Sequence, residues 1–462
     1  MRKKLLALII ALAMVFGLTA CGSKELTTIG TVPDDISVNL TIAVCGDVMA
    51  HMPQLKSALQ SDGSYDFNEN YDLVRDIMQG ADLCMANIEC TFPGPDAEYT
   101  GYPAFKTPDS LATALANAGV DVGIFANNHM NDSGLSGAKR TRQVIESAGL
   151  YCVGCRESED QNRSIIVPVK VGSETVNVGV VAYTYETSRG DTNRTMNGGA
   201  MSKDAPKFYN SFRQFADTSV LDKDIKAIKD EIAWCQERSD ITIVYLHWGE
   251  EYQRHSNARQ QYIAEAIAES RPDAIIASHP HVLQEISYVN SVPVYYSIGN
   301  YISNQCEETL DNHYTEQGLI AMLNFKLSKS PVNDGKYVIA AAGSTPNLST
   351  EELTEPGATI SGFDVYGTRE ECEAEEAYNK KLLKIFAKAP AKEEMSWDSW
   401  TPLRVDMLEA KACPTWVHRE YSGGKFKYKI VPLLEKGYSK RADGALDDIV
   451  DLIGEEFIWN SK

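Results

Sequence analysis

The chain is 462 residues long, 43% hydrophobic and 23% charged, with a formal net charge of −20. That length leaves room for one large domain or two ordinary ones with a sizeable core, and the apolar content marks a globular protein. So acidic a surface disfavours nucleic acid and anionic membrane surfaces as partners.

The chain starts MRKKLLALIIALAMVFGLTAC, a basic stretch followed by an apolar run from Leu5 to Leu18. The run is too short to span a bilayer and reads as a secretory signal over residues 1–20, so the bulk of the protein is expected to be exported. Its end, Leu18-Thr19-Ala20-Cys21, resembles the lipobox of bacterial lipoproteins. That resemblance implies acylation of Cys21, a polar tether over residues 21–39, and an extracytoplasmic protein held to the cell membrane by its lipid. The alternative is an ordinary secretion signal cleaved nearby. Removal of the signal takes away Arg2, Lys3 and Lys4 and moves the formal charge from −20 to −23.

Short apolar runs then alternate with amphipathic stretches. LTIAVCGDVM, DLCMANIEC, DVGIFANN, ITIVYLHWG and DAIIASHPH have the length and strand-forming composition of buried strands. NYDLVRDIMQGA, DSLATALANAG, SGAKRTRQVIESAG and NARQQYIAEAIAES carry helical spacing, several closed by glycine. The alternation predicts an α/β layered domain. SIIVPVKVGSETVNVGVVAYTY, with a Gly-Ser turn between two alternating segments, predicts a hairpin within it. Residues 186–216 are polar and glycine-containing and read either as a long loop over a site or as a mobile insertion. The spans expected are a domain over 40–328, an acidic, weakly periodic insertion or subdomain over 329–411, and a closing segment over 412–462. Ten cysteines, nine without Cys21, are scattered without a compact pattern, which argues against a disulfide scaffold. Cys152-Val-Gly-Cys155 has the spacing of a redox or metal half-site, but a single pair is more often structural.

The chemistry gathers where the strands end. Asp47 follows the first apolar run, with His51 four residues on; Glu89 follows the second; Asn128 and His129 end the third; His247 ends a fourth; His279 and His281 end a fifth. Each taken singly has an ordinary structural explanation, such as a cap, a turn or a hydrogen-bonded core histidine. Together they differ, because the carboxyl ends of strands in open α/β sheets form the crevice where ligands bind. Asp, Glu, Asn and neutral His without thiolate suit manganese, iron or zinc, and a shared carboxylate can bridge two such ions for hydrolysis. His279 and His281, as i and i+2 of an extended segment, would point to one side and reach two adjacent metals.

The blocks GDVMAH, MANIECTFPG, FKTP, GVDVGIFANNHMNDSG, YLHWGEEY, SHPHVLQ and YSIGNYISN resemble the bacterial capsule-synthesis CapA, or poly-γ-glutamate biosynthesis, family. They run in order from about Leu40 to Ala321, and PTWVHREYSGGKFKYKIVPL resembles the family's closing segment. That family is similar in turn to the calcineurin-like metallophosphoesterases, which implies a β-sandwich flanked by helices with two metals at its edge. The resemblance assigns Asp47 and His281 to one metal, and Asn128, His247 and His279 to the other, with Glu89 bridging. It makes His129 the general acid or transition-state hydrogen-bond donor, with Asp132 orienting it. Three departures stand out: the phosphoesterase D-x-H becomes Asp47-x-x-x-His51, the bridging aspartate becomes Glu89, and the glycine before the last pair becomes Ser278. Two functions follow as expectations. One is a surface-anchored dinuclear-metal hydrolase acting on a phosphoester or an envelope polymer, within a capsule-synthesis complex. The other is a non-catalytic component that binds or exports the polymer, for which the acidic charge is awkward unless metals or lysines such as Lys106 compensate.

Overall fold

The structure, a computed structural model, describes residues 36–172, 174–329, 359–360, 363–364 and 404–459. Cys21 with its signal and most of the tether, and the greater part of the 329–411 interval, lie outside the described residues.

The apolar runs fold as strands and the amphipathic stretches between them as helices. β1 (Ile36–Val48), α1 (Met52–Ala58), β2 (Leu83–Ile88), α2 (Ser110–Ala118), β3 (Val122–Ile124), α3 (Gly134–Ser147) and β4 (Tyr151–Val153) alternate along the first part. The hairpin of β5 (Ile165–Val171) and β6 (Glu174–Tyr185) follows, then α4 (Thr218–Gln236), β7 (Ile241–His247), α5 (Ala258–Ala268) and β8 (Ala274–Ser278). Shorter strands β9 (Ile286–Val289), β10 (Val292–Tyr295) and β11 (Asn300–Ile302) precede β12 (Gln317–Lys329). β13 (Arg404–Ser422), β14 (Lys425–Pro432) and α6 (Lys440–Ile453) follow. β13 begins at Arg404, so the strand already runs through the last residues of the interval 329–411.

Local chemistry explains the boundaries. Asn257 caps α5 by accepting the backbone N–H groups of Arg259 and Gln260, and Gly119 ends α2 at φ 109°, a left-handed conformation open to glycine. The expected helix over NYDLVRDIMQGA is instead a 3₁₀ turn at Asn68–Tyr71 and a short helix at Arg75–Gln79. Its bonds Val74 N→Tyr71 O and Ile77 N→Val74 O span three residues, whereas Met78 N→Val74 O and Gly80 N→Asp76 O span four, so a tight turn leads into one α-helical turn while Tyr71, Val74 and Met78 are buried. Helix α4, which the sequence reading did not single out, buries Leu221, Ile225, Ile228, Ile232 and Cys235 at three- and four-residue spacing.

Two sheets result. The first has the order β14-β13-β12-β1-β2-β3-β4, with β11 beside β1, and its neighbours β1, β2, β3 and β4 are parallel. The second has the order β9-β10-β8-β7-β6-β5, parallel from β6 through β7 and β8 to β10, and the short strand Ser211–Phe212 also pairs with β6. Ala43 and Cys45 of β1 share a core with Leu55, Leu111, Leu115, Ala138 and Ile145 of helices α1 to α3. Val244 and Leu246 of β7 do the same with Ile225, Ile228 and Ile232 of α4 and Ile263 and Ile267 of α5. The alternate residues Ile42, Val44, Ile243 and Tyr245 are also buried, so both faces of each sheet are covered. Full burial of each such side chain contributes about 1.5–3 kcal/mol. This is an α/β sandwich flanked by helices, and side chains from the ends of both sheets touch, as in Asn87 Nδ2 to Ser278 Oγ at 3.5 Å.

Residues 186–216 are tied down rather than loose. The Glu186 carboxylate is fully buried and accepts from Arg194, Ser188 and Ser211, and Asn131 Nδ2 donates to Ala200 O. At the entry to the site, Gly46 allows β1 to run against Gly299: a Cβ at position 46 would lie 2.1 Å from the Gly299 carbonyl oxygen. Asp47 N donates to that oxygen at 3.1 Å, which fixes where the Asp47 side chain starts.

Candidate metal centre

Parallel strands point their carboxyl ends the same way, so β1, β2, β7 and β8 deliver Asp47, Glu89, His247 and the 279–281 turn to one place. Among the described residues, two groups of side chains have ligand atoms all within 4.8 Å of one another: Asp47, Glu89 and His281, and Glu89, His247 and His279. Glu89 is common to both. Asn128 joins the second group, its Oδ1 lying 2.9 Å from His247 Nε2.

The hydrogen-bond partners of His281 fix its tautomer. His281 Nδ1 lies 3.1 Å from both Asp47 Oδ2 and Asn300 Oδ1, two acceptors, so Nδ1 carries the proton and Nε2 keeps its lone pair. That Nε2 is 4.0 Å from Glu89 Oε1. His247 Nδ1 faces Ser278 Oγ at 3.2 Å, and Ser278 Oγ lies 2.7 Å from the Tyr245 hydroxyl. The other nitrogen of His247, Nε2, is 3.4 Å from Glu89 Oε1. Ser278 thus contacts a ring nitrogen of His247.

His279 and His281 converge for a different reason from the one expected. β8 ends at Ser278, and both histidines have left-handed backbones, with φ 105° and 56°, so they form a turn and not an extended segment. Such conformations cost on the order of 1–3 kcal/mol each and persist where surrounding structure over-determines them. Here Trp248 N donates to Ser278 O and Tyr252 N to Pro280 O, and the two imidazole rings end with centroids 5.8 Å apart.

The donor set fits divalent ions. Asp47 and Glu89 are both fully buried, and burial together with the neighbouring Asp47 charge pushes the Glu89 carboxyl well above its usual range. Burial opposes ionisation of Asp47 too, but the hydrogen bond from His281 and the fields of His247 and His281 outweigh it and hold this carboxyl below its usual range. Burial lowers His247 to about 3 and His279 well below the ordinary imidazole value, leaving both neutral, the form that binds metal. Glu89 Oε1, Asn128 Nδ2 and His279 Nδ1 are buried without a hydrogen-bond partner. A buried carboxylate oxygen and a buried imidazole nitrogen left unpaired are costly unless a cation completes them. With no thiolate present, the set suits manganese, iron or zinc.

The remaining expected residues take distinct places. His129 Nδ1 donates to Asp132 Oδ2 at 2.8 Å, and Asp132 Oδ2 is also held by Phe105 N at 2.6 Å. His51 stands outside both ligand groups. Its Nδ1 lies 3.3 Å from the backbone N of Asn304 and 3.3 Å from Gln54 Oε1. The Cys152–Cys155 pair is buried and free, and burial pushes the Cys155 thiol up to about 12, which leaves no thiolate for redox or metal work. Asn87 went unrecognised in the sequence: its Nδ2 donates to Asp47 Oδ1 at 2.7 Å and lies 3.4 Å from Glu89 Oε2, while Asn127 Nδ2 holds its Oδ1 at 3.1 Å. The signal was there, since residue 87 stands two before Glu89 on the same side of the chain.

The chain is 25% identical over 302 residues to "PGA biosynthesis protein CapA" of Bacillus subtilis (strain 168), covering 65% of this chain and 72% of that one. It is 26% identical over 307 residues to "Capsule biosynthesis protein CapA" of Bacillus anthracis, covering 65% and 68%. Among solved structures it is similar to a 5'-nucleotidase from Candida albicans SC5314, with TM-score 0.34 and 9% identity over 64% of this chain and 48% of that one. The family described as "Bacterial capsule synthesis protein PGA_cap" matches residues 41–305, more than half of the chain and all of the metal-ligand candidates, and the protein belongs to it.

Proposed function

We propose that this protein is a lipid-anchored, extracytoplasmic hydrolase that uses two divalent metal ions on a phosphoester in the synthesis of a capsule or poly-γ-glutamate-type polymer. The observation that carries the reading is Glu89, whose carboxylate belongs to both ligand groups. The polymer pathway is supported by the names of the two Bacillus relatives. Asp47, Glu89 and His281 would hold one ion, and Glu89, Asn128, His247 and His279 the other. Such ions, when bound, supply the electrophilic charge and the activation of water that phosphoester hydrolysis needs. The chain's own residues do the rest. Asp132 fixes the His129 ring through Nδ1, leaving Nε2 as the nitrogen that gives a proton to the departing oxygen. Asn87 holds Asp47 and Glu89 in register, and Ser278 with Tyr245 does so for His247. Elemental analysis of the purified chain, followed by assay of bis(p-nitrophenyl) phosphate with the metals found, tests the reading. Bound manganese, iron or zinc with metal-dependent turnover is expected. A chain that binds no metal overturns the centre, and a metal-loaded chain inert across a broad substrate screen leaves polymer binding as the function.

The anchor has its own test. Cys21→Ser is expected to abolish acylation and move the protein from the membrane fraction to a soluble or uncleaved form, because a lipid chain binds in proportion to its buried methylenes. Fractionation and intact-mass measurement read the result, and an unchanged pattern removes Cys21 as the anchor.

A further inference from the structure

His51 lies at the metal centre without belonging to it. Its ring packs edge-on against Phe105 at 4.9 Å between centroids, and His129 packs edge-on against the same ring at 4.7 Å. Phe105 therefore packs against both imidazoles. The protonation of the ring follows from its partners. A backbone N–H can only donate, so in the tautomer that makes the 3.3 Å bond from Asn304 N, Nδ1 accepts and the single proton of the neutral ring sits on Nε2. Gln54 Oε1 also lies 3.3 Å from Nδ1, but it already accepts from His51 N at 2.8 Å, and the proposal takes the tautomer in which Nδ1 accepts from Asn304. Nε2 has no hydrogen-bond partner among the described residues and is not among their sealed, unpaired atoms. A nitrogen bearing hydrogen has no lone pair for a metal, but it is a donor fixed in direction by Asn304, Gln54 and Phe105.

We propose that His51 contacts substrate: its Nε2–H donates to an anionic, non-bridging oxygen of a phosphoryl group seated at the metal centre. The proposal rests on the phosphoester reading above and names a group that would bind the substrate's anionic oxygen. It also gives the longer spacing from Asp47 a physical meaning. Four residues rather than two carry the histidine onto the start of α1, where its ring is held by the 304 backbone and serves the ligand and not the ion.

The whole chain loaded with manganese tests this, with inorganic phosphate as the probe. Metal content, phosphate affinity by calorimetry, and KM and kcat for bis(p-nitrophenyl) phosphate are measured for wild type, His51→Ala and His51→Gln. Expected are unchanged metal content in both variants, phosphate binding weakened about tenfold to a hundredfold in His51→Ala, the range for one hydrogen bond to a charged group, and substantial recovery in His51→Gln, which keeps an N–H donor. Should His51→Ala unfold, His51→Leu, which keeps packing against Phe105, replaces it with the same expectations. Loss of metal from a folded variant would make His51 a ligand and overturn the proposal, as would unaltered phosphate affinity. If wild type hydrolyses nothing while the phosphate affinities still separate as expected, the hydrolase reading falls and the role of His51 stands.

Discussion

His129→Ala is expected to retain its full metal content while turnover falls by roughly a hundredfold to ten-thousandfold, the scale for a positioned proton donor. His129 reaches the centre from the residue beside Asn128, but its Nδ1 is committed to Asp132 and it is absent from both ligand groups. Metal and activity should therefore separate in this variant. Asp132→Asn is a milder companion: it keeps an acceptor for Nδ1 but loses the carboxylate that fixes the ring, and its turnover should lie between wild type and His129→Ala. Elemental analysis and steady-state kinetics on the same preparations decide the matter. A His129→Ala protein that has lost its metal would make His129 a ligand. Equal turnover in wild type and variant would take it out of the reaction, and equal polymer output in the producing cell with no hydrolysis by either protein would leave a binding component.

Glu89→Gln should have the opposite signature, losing metal and activity together while the metal-free fold keeps or gains stability. Glu89 is the carboxylate that the fold accommodates least well, being fully buried near Asp47 with Oε1 unpaired. Gln keeps the side chain's size and cannot ionise, so the metal-free fold no longer bears the cost of burial that pushes the Glu89 carboxyl above its usual range. The same change removes the one oxygen donor shared by both ligand groups. Thermal unfolding with and without manganese reads both effects. In wild type, metal should raise the midpoint by mass action on the folded state, and in Glu89→Gln that rise should largely vanish. His247→Ala should lose the metal-induced rise as well, since its Nε2 stands among Glu89 and Asn128. A Glu89→Gln protein with wild-type metal content would remove Glu89 from its bridging place.

By itself, the sequence determined the alternation of strands and helices and the positions at which chemistry leaves the core. Apolar runs such as ITIVYLHWG and DAIIASHPH are short enough to be only strands, and the polar residues at their ends are therefore at strand ends. Local patterns of this kind survive folding because burial of an apolar stripe needs no partner of particular identity. Other features depended on contacts between distant segments. The convergence of His279 and His281 comes from a left-handed turn pinned by backbone hydrogen bonds to Pro280 and Ser278, which no i to i+2 rule anticipates. The setting of His51 depends on Asn304, 253 residues away, whose backbone N–H lies 3.3 Å from its Nδ1. Asn87 and Ser278 acquired their roles only when two sheets met, because a hydrogen bond has direction and its partner here lies on another strand. Spacing along the chain told which side chains could reach the crevice, and the tertiary hydrogen bonds told which atom of each was left free to act.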